Sequence, residues 1–158
     1  MLIRQKYSKI YMLYYIIYLK EDVMQITRQA DYAVRAMVYL AQLGAERRAA
    51  TSQIAQEKQI PPSFLAKIVS QLSVAGLLQT SRGAHGGVSL ARSPDDITLL
   101  DVVEAIDGPI LLNECVGENG ACVFGDSCSI RPIWCDAQKD LVERLKGTTF
   151  SQFANGNH

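Results

Sequence analysis

From Thr27 to Leu43 the apolar residues Ala30, Ala33, Val34, Met37, Val38, Leu40 and Ala41 recur at three- and four-residue intervals, the period of one helical face. Thr27 stands where a hydroxyl caps a first turn, and Gly44 where a helix stops. The pattern predicts a first helix with a narrow apolar stripe. Thr51 is the expected cap of a short second helix carrying Ile54 and Ala55. Ile60-Pro61-Pro62-Ser63 then reads as a turn, because proline fits the first turn of a helix and not its interior. Phe64, Leu65, Ile68, Val69 and Leu72 resume the helical period up to Ala75-Gly76-Leu77-Leu78. Between Gln79 and Leu90 the period shortens to two short alternating runs around a Gly-rich turn, the signature of a β-hairpin.

Two short helices, a tight turn, a third helix and a hairpin make a winged helix-turn-helix, mainly α with a small β-wing. In that geometry the third helix lies in the major groove of double-stranded DNA with its N-terminal residues nearest the base edges. Ser63, Phe64, Lys67 and Ser70 are the expected DNA-facing residues, with Lys67 suited to a phosphate or a guanine. Arg82, at the base of the wing, suits a narrow and electronegative minor groove. Gly83, Gly86 and Gly87 let the wing backbone approach DNA closely. They have the wrong spacing for a dinucleotide-binding GxGxxG fingerprint, and His85 at the tip is expected in solvent.

A second stretch follows with a different character. Thr98 to Ile106 predicts a short helix, and Cys115, Cys122 and Cys128 then fall in a loop that also holds Gly117, Gly120 and Gly125. About Pro132 to Lys146, Ile133, Trp134, Ala137, Leu141, Val142 and Leu145 repeat at helical spacing with charges between them. That seam is more apolar area than a lone helix can hide, so it predicts a dimerisation helix. Charge follows the same division. Residues 24–92 carry eight Lys/Arg against three Asp/Glu, whereas residues 93–158 carry four against eleven, so a formal charge of zero conceals a basic half and an acidic half. A basic module joined to an acidic one suits a DNA-binding domain (24–92) with a regulatory and dimerisation part (93–158).

Residues 1–23 differ from both. The run Ile10 to Leu19 is apolar and tyrosine-rich but too short to cross a bilayer, which needs about 20 residues, and no membrane association is expected. Lys20 to Val23 back-translates into a ribosome-binding sequence just before Met24. The expectation is that natural translation starts at Met24, and N-terminal sequencing of native protein that found Met1 or Leu2 would refute it.

The chain shows no secretory signal, so a cytoplasmic location with reduced thiols is expected, and clustered cysteines then point to metal binding or redox response rather than disulfides. Thiolates are soft ligands for zinc and for iron-sulfur clusters. The spacing lacks the CxxC knuckle usual in structural zinc sites, yet by itself it leaves cluster and zinc both open. Cys135 offers a fourth thiolate, whereas Glu114 and Asp126 are weaker ligand candidates. No thiol oxidoreductase motif appears, and neither His85 nor His158 stands with a nucleophile, so the sequence argues against an enzyme.

In order, MQITRQADYAVRAMVYLAQL, IPPSFLAKIVSQL, SRGAHGGVSLAR, ITLLDVVEAIDG and the three-cysteine loop resemble the bacterial iron-sulfur winged-helix regulators that include IscR and NsrR. The likeness runs from Met24 to about Phe153. It implies a homodimeric transcription regulator, a repressor in the simplest case, on a palindromic operator. Its DNA affinity would be controlled by a [4Fe-4S] or [2Fe-2S] cluster that senses nitric oxide, redox state or iron. It also implies Cys115, Cys122 and Cys128 as ligands. The family's fourth ligand varies, and here Arg131 fills the position of one variant, a histidine, and cannot ligate. Asp31 matches the other variant, an acidic residue from the partner subunit's first helix, and is the expected fourth ligand. The alternative is the same fold without a cluster, controlled by zinc, thiol oxidation or a protein partner.

Overall fold

The computed structural model describes residues 26–44, 47–83, 86–117, 124 and 127–154. The helices are α1 (Arg28–Leu43), α2 (Thr51–Glu57), α3 (Pro62–Val74), α4 (Leu99–Asp107), α5 (Arg131–Lys146) and the short α6 (Ser151–Ala154). Two strands, β1 (Leu78–Ser81) and β2 (Gly87–Leu90), pair antiparallel to form the wing. The architecture is therefore mainly α with a small β-wing, a winged helix-turn-helix followed by the cysteine segment and a long helix. None of the described helices is long and apolar enough to cross a membrane.

Local chemistry sets the boundaries. Thr27 caps α1, its Oγ accepting the Ala30 N–H at 3.2 Å. The expected cap at Thr51 is displaced by one residue. Ala50 occupies the cap position, Thr51 begins α2, and no side chain caps that helix. Pro62 opens α3, and Gly76, at φ +70, ends it by letting Leu77 N–H bond Leu72 O at 2.9 Å. Thr98 and Asp101 close a reciprocal capping box at the start of α4.

The core gathers Met37 and Leu40 from α1, Ile54 from α2, and Leu65, Ile68 and Leu72 from α3, all essentially inaccessible to solvent. Two contributions come from segments whose sequence suggests no role. Ala49 pairs with Val88, giving the wing a third, one-residue rung through two backbone hydrogen bonds of 2.9 Å. The C-terminal segment returns beneath α4: Thr149 bridges Thr98, Phe150 N–H bonds Ile97 O at 3.0 Å, and the Phe150 ring is fully buried in the same core as α1.

In contrast, α5 has no buried residue within the protomer. Ile133 is 60% and Trp134 40% exposed, and Cys135 beside them is exposed as well. The seam is real as a pattern, but the protomer covers it only in part: Leu141, Val142 and Leu145 are half-buried, while Ile133 and Trp134 stay exposed.

Candidate DNA interface and cysteine loop

The N-terminal half of α3 presents Ser63, Phe64, Lys67 and Ser70 to solvent, while Leu65, Ile68 and Val69 face inward. Helical periodicity produces that separation, since the exposed positions fall between the core positions on the opposite side of the cylinder. Phe64 is a mixed case. It is 44% exposed, yet its ring meets Tyr32 of α1 edge-on at 5.9 Å, and the Arg35 guanidinium lies 5.7 Å from the centroid of the Tyr32 ring. The start of α3 is therefore braced by α1. A side-chain hydrogen bond between Gln29 and Gln71 braces its other end.

In the wing, Arg82 is exposed and Gly83 takes φ +107, a left-handed value that favours glycine. Gly86 N–H bonds Gly83 O at 2.9 Å, closing the turn. A Cβ at Gly87 would lie 2.7 Å from Ala49 O, so glycine is what allows the Ala49 rung to form. His85 lies outside the described residues.

The cysteine segment is anchored at both of its ends. Arg131 Nε donates to Cys115 O at 3.4 Å, and its backbone N–H donates to Cys128 O at 3.2 Å. The backbone carbonyls of the first and third cysteines thus both bond to one residue. The Cys115 thiol donates to Asn113 Oδ1 at 2.8 Å, and both Cys115 and Cys128 are half-buried. Further along α5, the Gln138 carboxamide donates to Ile110 O at 2.6 Å and accepts from Leu112 N–H at 2.9 Å. These bonds fasten the approach to the loop onto the helix that follows it.

Cys122, Gly120, Gly125 and Asp126 lie outside the described residues, as does the side chain of Glu114. Among the described residues no three of His, Cys, Asp and Glu converge as a metal site. Cys135 sits on the exposed face of α5, and Asp31 sits in the first turn of α1, ion-paired with Arg35 at 2.6 Å. The donor set fits a soft-metal centre in part: two half-buried cysteines have their backbone carbonyls bonded to a common residue, Arg131, and a third cysteine belongs to the segment between them.

Sequence reasoning missed the residues that position this site. Arg131 was legible only as a side chain unable to ligate, and Gln138 carried no signal, since an amide on a polar helix face looks like ordinary solvation.

The protein-family model that matches the chain is Rrf2, described as an iron-dependent transcriptional regulator, over residues 26–156. The protein rrf2 of Nitratidesulfovibrio vulgaris is 33% identical over 128 residues, covering 81% of this chain and 85% of that protein. Among solved structures, CymR, the global cysteine regulator of B. subtilis, superposes with a TM-score of 0.71 at 27% identity, covering 86% of this chain and all of that one. IscR of T. potens gives a TM-score of 0.67 at 26% identity, covering 84% and 88%.

Proposed function

The chain belongs to the Rrf2 family of transcriptional regulators, and on that premise we propose that it is a homodimeric, DNA-binding repressor whose operator affinity is set by an iron-sulfur cluster in the cysteine loop. The observation that carries this reading is the return of Cys115 and Cys128 to one residue, Arg131. Cys115, Cys122 and Cys128 would hold a [4Fe-4S] or [2Fe-2S] cluster, with Asp31 of the partner subunit as fourth ligand and Cys135 as the weaker candidate. The family's description as iron-dependent and the likeness to IscR support it. When bound, such a cluster supplies iron-thiolate bonds that respond to nitric oxide, redox state or iron supply.

The remaining work belongs to the chain itself. Arg131 and Gln138 tie Cys115 and the residues that lead into the loop to α5. Pairing of α5 with its counterpart would set two copies of α3 about 34 Å apart, one turn of DNA, on a palindromic operator. Ser63, Phe64, Lys67 and Ser70 would then read the major groove, with Arg82 and the backbone at Gly83, Gly86 and Gly87 in the minor groove. To reverse operator occupancy, the two states of the loop must differ in DNA affinity by about 10⁴-fold.

A second reading is favoured by one finding, the superposition on CymR. It keeps the fold and the DNA contacts and places control in thiol chemistry, with exposed Cys135 as an accessible thiol.

Iron and acid-labile sulfide per protomer, measured on protein purified without oxygen, separate the two. Ratios near four or near two with visible charge-transfer bands match the cluster types. Protein free of iron and sulfide that also resists reconstitution leaves the thiol reading. Cys122→Ala should abolish iron retention and regulation of DNA binding while leaving a folded dimer. A cluster response unchanged in that variant would sink the scheme.

A further inference from the structure

At the root of the wing, away from the core, lies a polar hollow that the DNA-facing residues do not account for. Arg48, Gln79, Ser89, Arg92 and Ser93 contribute to its lining, and its volume is about 340 Å³. Strand pairing assembles it. Val88 and Leu90 point into the core, so Ser89 between them points to the opposite face, where Gln79 is its cross-strand partner. Arg48 precedes the Ala49 rung on the other side of β2, and Arg92 follows β2 directly.

Three features of this hollow ask for an anion. Ser89 is 2% exposed, and its Oγ has no hydrogen-bond partner among the described residues. A buried hydroxyl left unpaired is uncommon and calls for an explanation. Arg48 and Arg92 are exposed, and neither makes an ion pair or side-chain hydrogen bond among the described residues. The nearby polar groups are already engaged: the Gln79 amide donates to Leu90 O at 3.3 Å, and the Ser93 hydroxyl bonds Asp95 Oδ2 at 3.3 Å. What remains is two guanidinium groups and one hydroxyl donor. Guanidinium presents paired N–H groups to two oxygens of one phosphorus, so the pair suits a phosphoryl group, a singly charged diester or a doubly charged monoester.

We propose that Arg48, Arg92 and Ser89 form a phosphoryl-binding site at the root of the wing. The phosphoryl group has two sources, a DNA backbone phosphate or a free phosphorylated small molecule. The first rests on the DNA-binding reading, and the second does not.

Two measurements on the full-length protein decide. In the first, Tm is followed against inorganic phosphate, with sodium chloride holding ionic strength constant. It should rise saturably for the wild type. The Arg48→Gln/Arg92→Gln double variant should bind phosphate at least about tenfold more weakly, and Ser89→Ala, which leaves net charge unchanged, should weaken it too. In the second, the salt dependence of affinity for a duplex of arbitrary sequence is compared. If a DNA phosphate occupies the site, the double variant's log–log slope is shallower by about 0.9, the value for one phosphate no longer neutralised. Phosphate stabilisation with an unchanged slope assigns the site to a free ligand. A wild type that binds no duplex defeats the DNA-binding reading and leaves the phosphate titration to decide. The proposal is overturned if phosphate has no effect, or has the same effect on all variants, and the slope does not change.

Discussion

Asp107 accepts two hydrogen bonds from Thr27, from the backbone N–H at 3.0 Å and from Oγ at 2.6 Å, across eighty positions of sequence. One carboxylate therefore fixes where α1 begins and where α4 ends, while the same Thr27 hydroxyl still caps Ala30. Asp107→Ala leaves the Thr27 donors to solvent. It should cost about 1–2 kcal/mol, read as a lowered Tm or denaturation midpoint with an unchanged m-value. The cap at Thr27 was legible in the sequence because capping spans three residues. Asp107 was not, because a carboxylate at a helix end, close to Gly108, has the look of an exposed charge until the fold brings Thr27 to it. Arg131 follows the same rule: its chemistry forbids ligation, but only the folded chain reveals that it joins the loop's ends.

Among the elements, α1, α3 and α4 were readable from period and punctuation, and the wing from alternation around glycines. The rung at Ala49 was not, since a single residue carries no period. It matters because it fixes the wing against the residues that precede α2. Gly87→Ala should separate them: a Cβ placed 2.7 Å from Ala49 O forces backbone to move, at a cost of about 1–3 kcal/mol. DNA affinity measured at a temperature where the variant remains folded should also fall, because the base of the wing is displaced. Wild-type stability and affinity together would mean that the rung does not constrain the wing. The displaced cap at Thr51 shows the opposite limit, where the helix was legible and its boundary was off by one residue.

At the scale of the molecule, α5 carries an apolar pattern that was plain in the sequence, and the protomer leaves its N-terminal part uncovered, with Ile133 and Trp134 exposed. Trp134→Glu, on the proposed dimer contact, should weaken self-association by at least about 30-fold, as expected for a buried aromatic anchor. Sedimentation equilibrium reads that shift, and an unaltered dimer would place the contact elsewhere. The proposed ligands of the loop were legible as residue types, but the bonds of Arg131 and Gln138 that fasten the ends of the cysteine segment were not, because spacing alone does not place them. Phe150 has a consequence of another kind. Every residue proposed to touch DNA is synthesised before it, yet the core beneath those residues is closed by this ring. A nascent polypeptide still tethered to the ribosome, or one cut short upstream of residue 150, carries the whole reading head without its keystone. A chain that ends before that position should therefore be less stable than the full one, and prematurely terminated products should compete poorly for DNA.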